Sequence, residues 1–189
     1  MQDSEKNFDL ESKLRIIMQL IFDVLKFAET KNGVVLALTG ACIVGILRFF
    51  GSTTAQSSLG REWLAGLAVG MVFLCIACII IIISFLPQIH NVKVGLKKKI
   101  KENETDNLFF FGDLYKYESQ SLIGAVLKSY KIEDKENYMN AINLSISTQI
   151  IEYSKITLNK FTLFKIAAWV LLIGIISIFI VAGITYFLI

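Results

Sequence analysis

Three stretches of this chain are apolar almost without interruption, and the segments between them alternate apolar and polar positions at helical spacing. The central stretch, residues 63–87 (WLAGLAVGMVFLCIACIIIIISFLP), runs 25 residues without a formal charge. At about 1.5 Å per residue it is long enough to cross a hydrocarbon layer of about 30 Å as a helix. It starts at Trp63 behind Arg61 and Glu62 and stops at Pro87, the single proline of the chain. Residues 33–50 (GVVLALTGACIVGILRFF) form a shorter apolar stretch with Arg48 near its far end. Residues 166–189 form a third, with Trp169 near its entrance, and Trp favours membrane–water boundaries.

Ahead of the first stretch, Leu10, Leu14, Ile17, Ile21, Val24 and Ala28 recur three and four apart, which predicts an amphipathic helix over residues 4–31. No proline separates it from residues 33–50, so Gly33 is either a hinge or a small packing residue. Residues 51–61 (GSTTAQSSLGR) read as a polar turn between antiparallel spans. Beyond Pro87, residues 92–103 continue as a helix, 104–107 break the pattern, and 108–117 (LFFFGDLYKY) are aromatic. A short helix is expected over 119–130. A long one follows from an N-cap at Asp134 into the third apolar stretch. On that helix Met139, Ile142, Ile146, Ile150, Tyr153 and Ile156 form one stripe, and Leu144, Ile151 and Leu158 a second. Two stripes on one helix predict contacts on two sides, as in an oligomeric bundle.

The pattern predicts an all-α integral membrane protein with three transmembrane helices per chain, a helical cytosolic domain and a homo-oligomeric bundle. The expected divisions are an amphipathic cytosolic helix (1–32), a first span (33–50), an external loop (51–62), a second span (63–87), a cytosolic helical ligand-sensing domain (88–165) and a third span (166–189).

Composition agrees: 54% of residues are hydrophobic, above the 45 to 50% usual for soluble domains. Net charge is only +3, but its distribution is uneven. Residues 1–32 carry five basic and six acidic side chains, whereas residues 88–165 carry twelve and nine. Basic flanking loops stay inside, which puts the N-terminus and residues 88–165 in the cytoplasm and the C-terminus outside. The N-terminal MQDSEKNFDL lacks the basic start and apolar core of a signal peptide, so no cleavage is expected. Cys42, Cys75 and Cys78 all lie in apolar stretches. Cys75 and Cys78 have a C-x-x-C spacing but no His or acid nearby, so they read as small buried hydrophobes. Gly66 and Gly70 have the G-x-x-x-G spacing that lets helix backbones approach, without naming the partner helix.

Enzyme chemistry finds little support. His90 is the lone histidine and sits at a membrane boundary, no phosphate-binding loop, zinc-protease or nucleophile-elbow motif is present, and Asp113 reads as a turn or capping residue. No metal or cofactor is expected. The strongest chemical signal is Lys93, Lys97, Lys98, Lys99 and Lys101 directly after the second span. They are either an anchor on anionic lipid headgroups or, with several chains around an axis, the lining of a positive vestibule that concentrates phosphates. Lys116, Lys155 and Lys160 are further phosphate candidates, and Tyr115 is the stacking candidate. Phe109, Phe110 and Phe111 are expected to cover a small cytosolic core. Thr39, Ser84, Ser177 and Thr185 are the few polar groups within the spans. With Arg48 they are the pore candidates, although each hydroxyl has a backbone carbonyl within reach as an alternative. No span carries an internal acid, so a hydrophobic gate or an anion path fits better than a cation-selecting ring.

Residues 27–38 (FAETKNGVVLAL) running into the first span, residues 107–114 (NLFFFGDL) after the second, and the helix through 149–160 leading into the third carry a resemblance. Together they resemble the transmembrane effector domain of bacterial Pycsar-type anti-phage systems, and of related nucleotide-signalling defences such as Hailong, over about residues 10–185. The resemblance implies an inner-membrane effector controlled by a nucleotide from a companion synthase, which disrupts the membrane once released. No cyclic-nucleotide-binding domain is recognisable in these residues, so the ligand is either a cyclic mononucleotide or a short single-stranded oligonucleotide. The expected function is therefore a nucleotide-gated oligomeric channel or pore, with four copies as the working number. The competing readings are a ligand-independent holin-like pore and a membrane scaffold for a partner protein.

Overall fold

The computed structural model describes residues 9–53, 57, 60–86, 102–103 and 105–188. Those residues are helical and turn, with no strand among them. The helices are α1 (Leu10–Phe50), α2 (Arg61–Phe85), α3 (Phe111–Leu114), α4 (Ser119–Ser129) and α5 (Ala141–Leu188), with a 3-10 turn at Glu136–Tyr138 before α5. α1, α2 and α5 are long and apolar enough to cross a membrane. The chain divides into two compact units, residues 1–28 with 88–160, and residues 29–87 with 161–189.

The first unit is organised by the stripe on α1. Asp9 starts that helix, its Oδ1 accepting the Ser12 N–H at 3.1 Å, a cap for one of the unpaired first-turn donors. Leu10, Leu14, Ile17 and Ile21 then pack against Leu122, Ile123, Val126 and Leu127 of α4, with Leu114, Ile146, Ile150 and Ile151 in the same cluster. Each such side chain contributes about 1.5–3 kcal/mol when fully buried. The stripe ends through Leu25 and Ala28, so Leu25 takes the buried place expected of Val24.

α4 begins in a reciprocal cap in which Ser121 Oγ accepts the Glu118 N–H at 3.0 Å. It ends in a left-handed residue, Lys131 (φ 59°), while the Ile132 N–H bonds back to the Leu127 carbonyl at 3.0 Å. This is the closing turn usually made by glycine.

The long helix starts later than Asp134. Asp134 accepts the Asn137 N–H at 3.3 Å ahead of α5, whereas Asn140 Oδ1 accepts the Asn143 N–H at 2.8 Å and starts α5. Its buried seam also differs from the apolar stripe, because Ile142 is exposed while Asn143, Ser147, Ile150, Ser154 and Thr157 are buried. Small hydroxyls tolerate burial when a carbonyl one turn back takes the proton, as Ser154 does to Ile150 at 2.7 Å. Ile151 of the second stripe lies in this chain's own core, so that stripe is not wholly free for another copy.

In the second unit, α2 runs antiparallel to the apolar parts of α1 and α5. Its glycines find their partner within the chain. A Cβ at Gly66 would stand 2.5 Å from the Ile178 carbonyl oxygen, and one at Gly174 would stand 2.7 Å from Phe73 Cβ. The backbones of α2 and α5 therefore approach closely where one of the two helices carries a glycine, and at Gly70 and Gly174 where both do. Trp63 packs edge-on against Phe179, with ring centroids 6.2 Å apart. α1 meets α2 through a buried hydrogen bond from Asn32 Nδ2 to Ser84 Oγ at 2.8 Å. α1 meets α5 where Lys31 Nζ lies 4.5 Å from the Phe164 ring centroid. Gly33 sits within unbroken helix, so it is not a hinge in this structure.

Candidate functional site

The segment before α4 is built around one lysine. Lys116 Nζ donates to Asp106 Oδ1 at 3.0 Å and to Asp113 Oδ1 at 2.7 Å, and all three side chains are at most a quarter exposed. Asp113 Oδ2 also accepts the Asn107 N–H at 3.1 Å, and Asn107 Oδ1 accepts the Phe109 N–H at 2.9 Å. Asp113 is thus the turn residue its type predicts, and it ties residues 107–109 to α3. The bonds to Asp113 and then Asp106 hold the Lys116 ammonium well above its ordinary range. The Asp106 carboxyl is held below its ordinary value, first by the Asn103 backbone and then by Lys116. Burial pushes the neighbouring Tyr117 phenol up. Lys116 with two carboxylates carries net negative charge, so this trio is an intramolecular latch and a poor host for phosphate.

The latch leaves the aromatic segment only partly covered. Phe111 packs on the core, but Phe109 and Phe110 are 55% and 47% exposed, so these two do not cover it as expected. Tyr115 is half-buried next to the latch. A cleft of about 190 Å³ opens beside Phe109, between α1 and the end of α4, lined by Lys13, Ile17, Val126, Ser129 and Tyr130 among others. Lys13 Nζ lies 5.6 Å from the Tyr130 ring centroid. The sequence reading missed Lys13 and Tyr130, which are 117 positions apart and share a cleft only after α1 packs on α4.

The remaining phosphate candidates are scattered. Lys155 pairs with Glu152 at 2.7 Å on the surface of α5, and Lys160 is buried. Lys93, Lys97, Lys98, Lys99 and Lys101 lie outside the described residues, as does His90.

Among the pore candidates, Thr39 and Ser84 are buried, and Thr39 donates to the Val35 carbonyl at 2.6 Å. Ser177 donates to Gly174 at 2.7 Å, and Thr185 to Val181 at 2.7 Å. Arg48 is exposed in the last turn of α1. The Thr39, Ser177 and Thr185 hydroxyls are thus turned to backbone carbonyls and that of Ser84 to Asn32, and the outward positions of this unit are large and apolar, including Val34, Leu38, Val72, Ile79, Trp169 and Phe179.

Residues 13–187 match the Pycsar effector protein domain, from the first turns of α1 to the last turn of α5. No curated protein and no solved structure matches the chain. The match takes in both compact units and all three long apolar helices, and the chain therefore belongs to the Pycsar effector family, as a membrane effector of anti-phage defence.

Proposed function

We propose that this effector is a homo-oligomeric ion channel or pore whose conductance is set by a nucleotide bound on its cytosolic side. The observation that carries the reading is the continuity of α1 and α5. Each contributes core residues to the first unit and an apolar length to the second without a break in the helix. A ligand bound to the first unit would therefore act on helices that also supply the apolar lengths of the second.

The family context implies a cyclic nucleotide signal from a companion cyclase. The large apolar side chains exposed on the second unit, Val34, Leu38, Val72 and Ile79 among them, support a conduit between copies, with apolar faces forming the constriction and four copies as the working number. The proposed topology has residues 1–32 and 88–165 in the cytoplasm, residues 51–62 and the C-terminus outside, in the bacterial inner membrane. Lys93, Lys97, Lys98, Lys99 and Lys101 would then border the cytosolic mouth, where five cations per copy concentrate anions. Lys155 and Lys160 are a secondary set on α5.

Ion flux from vesicles holding the purified protein tests this reading. A cyclic mononucleotide on the lysine side should switch the flux, and Lys97→Glu with Lys98→Glu and Lys99→Glu should abolish the response. A response to short oligonucleotides alone would replace the ligand class. Steady flux indifferent to every nucleotide would leave a ligand-independent pore. No flux under any ligand would favour a membrane scaffold for a partner.

A further inference from the structure

The cleft beside Phe109 combines three features. Its floor is apolar, because Ile17 and Val126 are almost fully buried. Its walls include two aromatic rings left in water, Phe109 at 55% and Tyr130 at 43% exposure. Lys13 supplies a cation beside the Tyr130 face. Flat rings over an apolar floor with a cation at the rim accept a planar heterocycle that carries a phosphate.

Size and charge fix which part of such a ligand enters. About 190 Å³ is below the range of about 300–1,000 Å³ that encloses a drug-sized molecule, and suits one heterocyclic base. The C-terminal end of α4, which supplies Ser129 and Tyr130, carries partial negative charge and disfavours phosphate inside the slot. The base therefore goes in and the phosphate stays out, toward Lys13.

We propose that this cleft is the base-binding subsite for the nucleotide signal, with the base against Tyr130 and Phe109 and its phosphate held by Lys13. The proposal rests on the nucleotide-controlled reading above. It also gives α1 a role in sensing, since Lys13 and Ile17 belong to the helix that continues into the second unit.

The test is calorimetric binding of cyclic AMP, GMP, CMP and UMP to the full chain in lipid nanodiscs. Helical content and elution volume serve as the folding check for each variant. Tyr130→Ala and Phe109→Ala should each weaken the best ligand about tenfold, the scale of one base–aromatic stack. Tyr130→Phe should leave affinity within about twofold, since the ring is kept. Lys13→Gln should weaken binding and reduce its salt dependence. A photocrosslink from an 8-azido purine cyclic nucleotide to the unmutated protein should fall in residues 13–17, 108–109 or 126–130. Unchanged affinity in all three weakening variants, or a crosslink confined to residues 93–101, would overturn the subsite and leave the nucleotide reading intact. Failure of the unmutated chain to bind any of the four would overturn both.

Discussion

The contact between α2 and α5 in the second unit makes a contrast between two glycines that is open to measurement. Replacing a helical Gly by Ala ordinarily stabilises by about 1 kcal/mol. At Gly66 the new Cβ stands 2.5 Å from the Ile178 carbonyl oxygen, with the carbonyl carbon at 3.3 Å. Reaching an ordinary 3.4 Å contact requires α2 and α5 to separate by roughly 0.9 Å, and both obstacles are backbone that cannot rotate away. Overpacking of this kind costs about 1–3 kcal/mol, and a rigid obstacle belongs at the upper end. Gly66→Ala should therefore be destabilising by a net of about 1–2 kcal/mol. At Gly70 the new Cβ meets Ile178 Cγ1 most closely and Cδ1 at 2.7 Å, both side-chain atoms that a rotamer change moves away. Gly70→Ala should be near neutral, because about 1 kcal/mol gained offsets about 1 kcal/mol of repacking. Reversible SDS unfolding in mixed micelles reads both. Gly66→Ala at or above the stability of the unmutated chain, or Gly70→Ala costing more than Gly66→Ala, would refute the helix contact.

Other consequences follow from the first unit and from the α1–α2 contact. Asp106 is depressed below 3.8, so its contribution is present above that pH and lost as pH falls through the folded value; Lys116 is raised above 10.5, so its contribution is present below that pH and lost as pH rises through the higher folded value. Urea melts should accordingly be flat from about pH 5 to 10 and fall off on both sides, and Lys116→Met should lower the plateau. Lys131→Gly should raise stability by about 1 kcal/mol in the same melts, because it removes a left-handed lysine; a loss would mean that the side chain supplies a contact worth more than the strain. A double-mutant cycle of Asn32→Ala and Ser84→Ala should give a coupling of about 0.6 kcal/mol, the mean for hydrogen bonds between membrane helices, and zero coupling would show that the pair is not formed.

Much of this fold is legible in the sequence because apolar periodicity records it directly. The stripe from Leu10 to Ala28 buries as its spacing predicts except that Leu25 replaces Val24, and three uncharged or nearly uncharged stretches become long apolar helices. The misreadings share one cause, which is that residue type was taken as a guide to burial. Asn143, Ser147, Ser154 and Thr157 form the inner seam of α5; the Ser147 and Ser154 hydroxyls are satisfied by carbonyls of their own helix and let neighbours approach, while Asn143 Nδ2 donates to the Tyr138 carbonyl. Phe109 and Phe110 remain outside, because α1 and α4 already fill the core with Leu, Ile and Val. Two capping residues compete for the start of α5, and composition alone cannot rank Asp134 against Asn140.

The candidate site was less legible. Lys116 looks like a free cation in the sequence, and only the fold shows the two carboxylates that close on it. Lys13 and Tyr130 carry no local motif, since their chemistry depends on packing between segments far apart in the chain. The Lys93–Lys101 cluster is the reverse case, obvious in sequence but outside the described residues.

The measurement that bears most directly on the central claim is planar-bilayer current through the purified protein while a cyclic mononucleotide is washed in and out on the lysine side. The account predicts a current that the nucleotide switches reversibly, with the half-effective concentration raised about tenfold by Tyr130→Ala. A bilayer that stays silent, or a current unchanged by nucleotide, would contradict it.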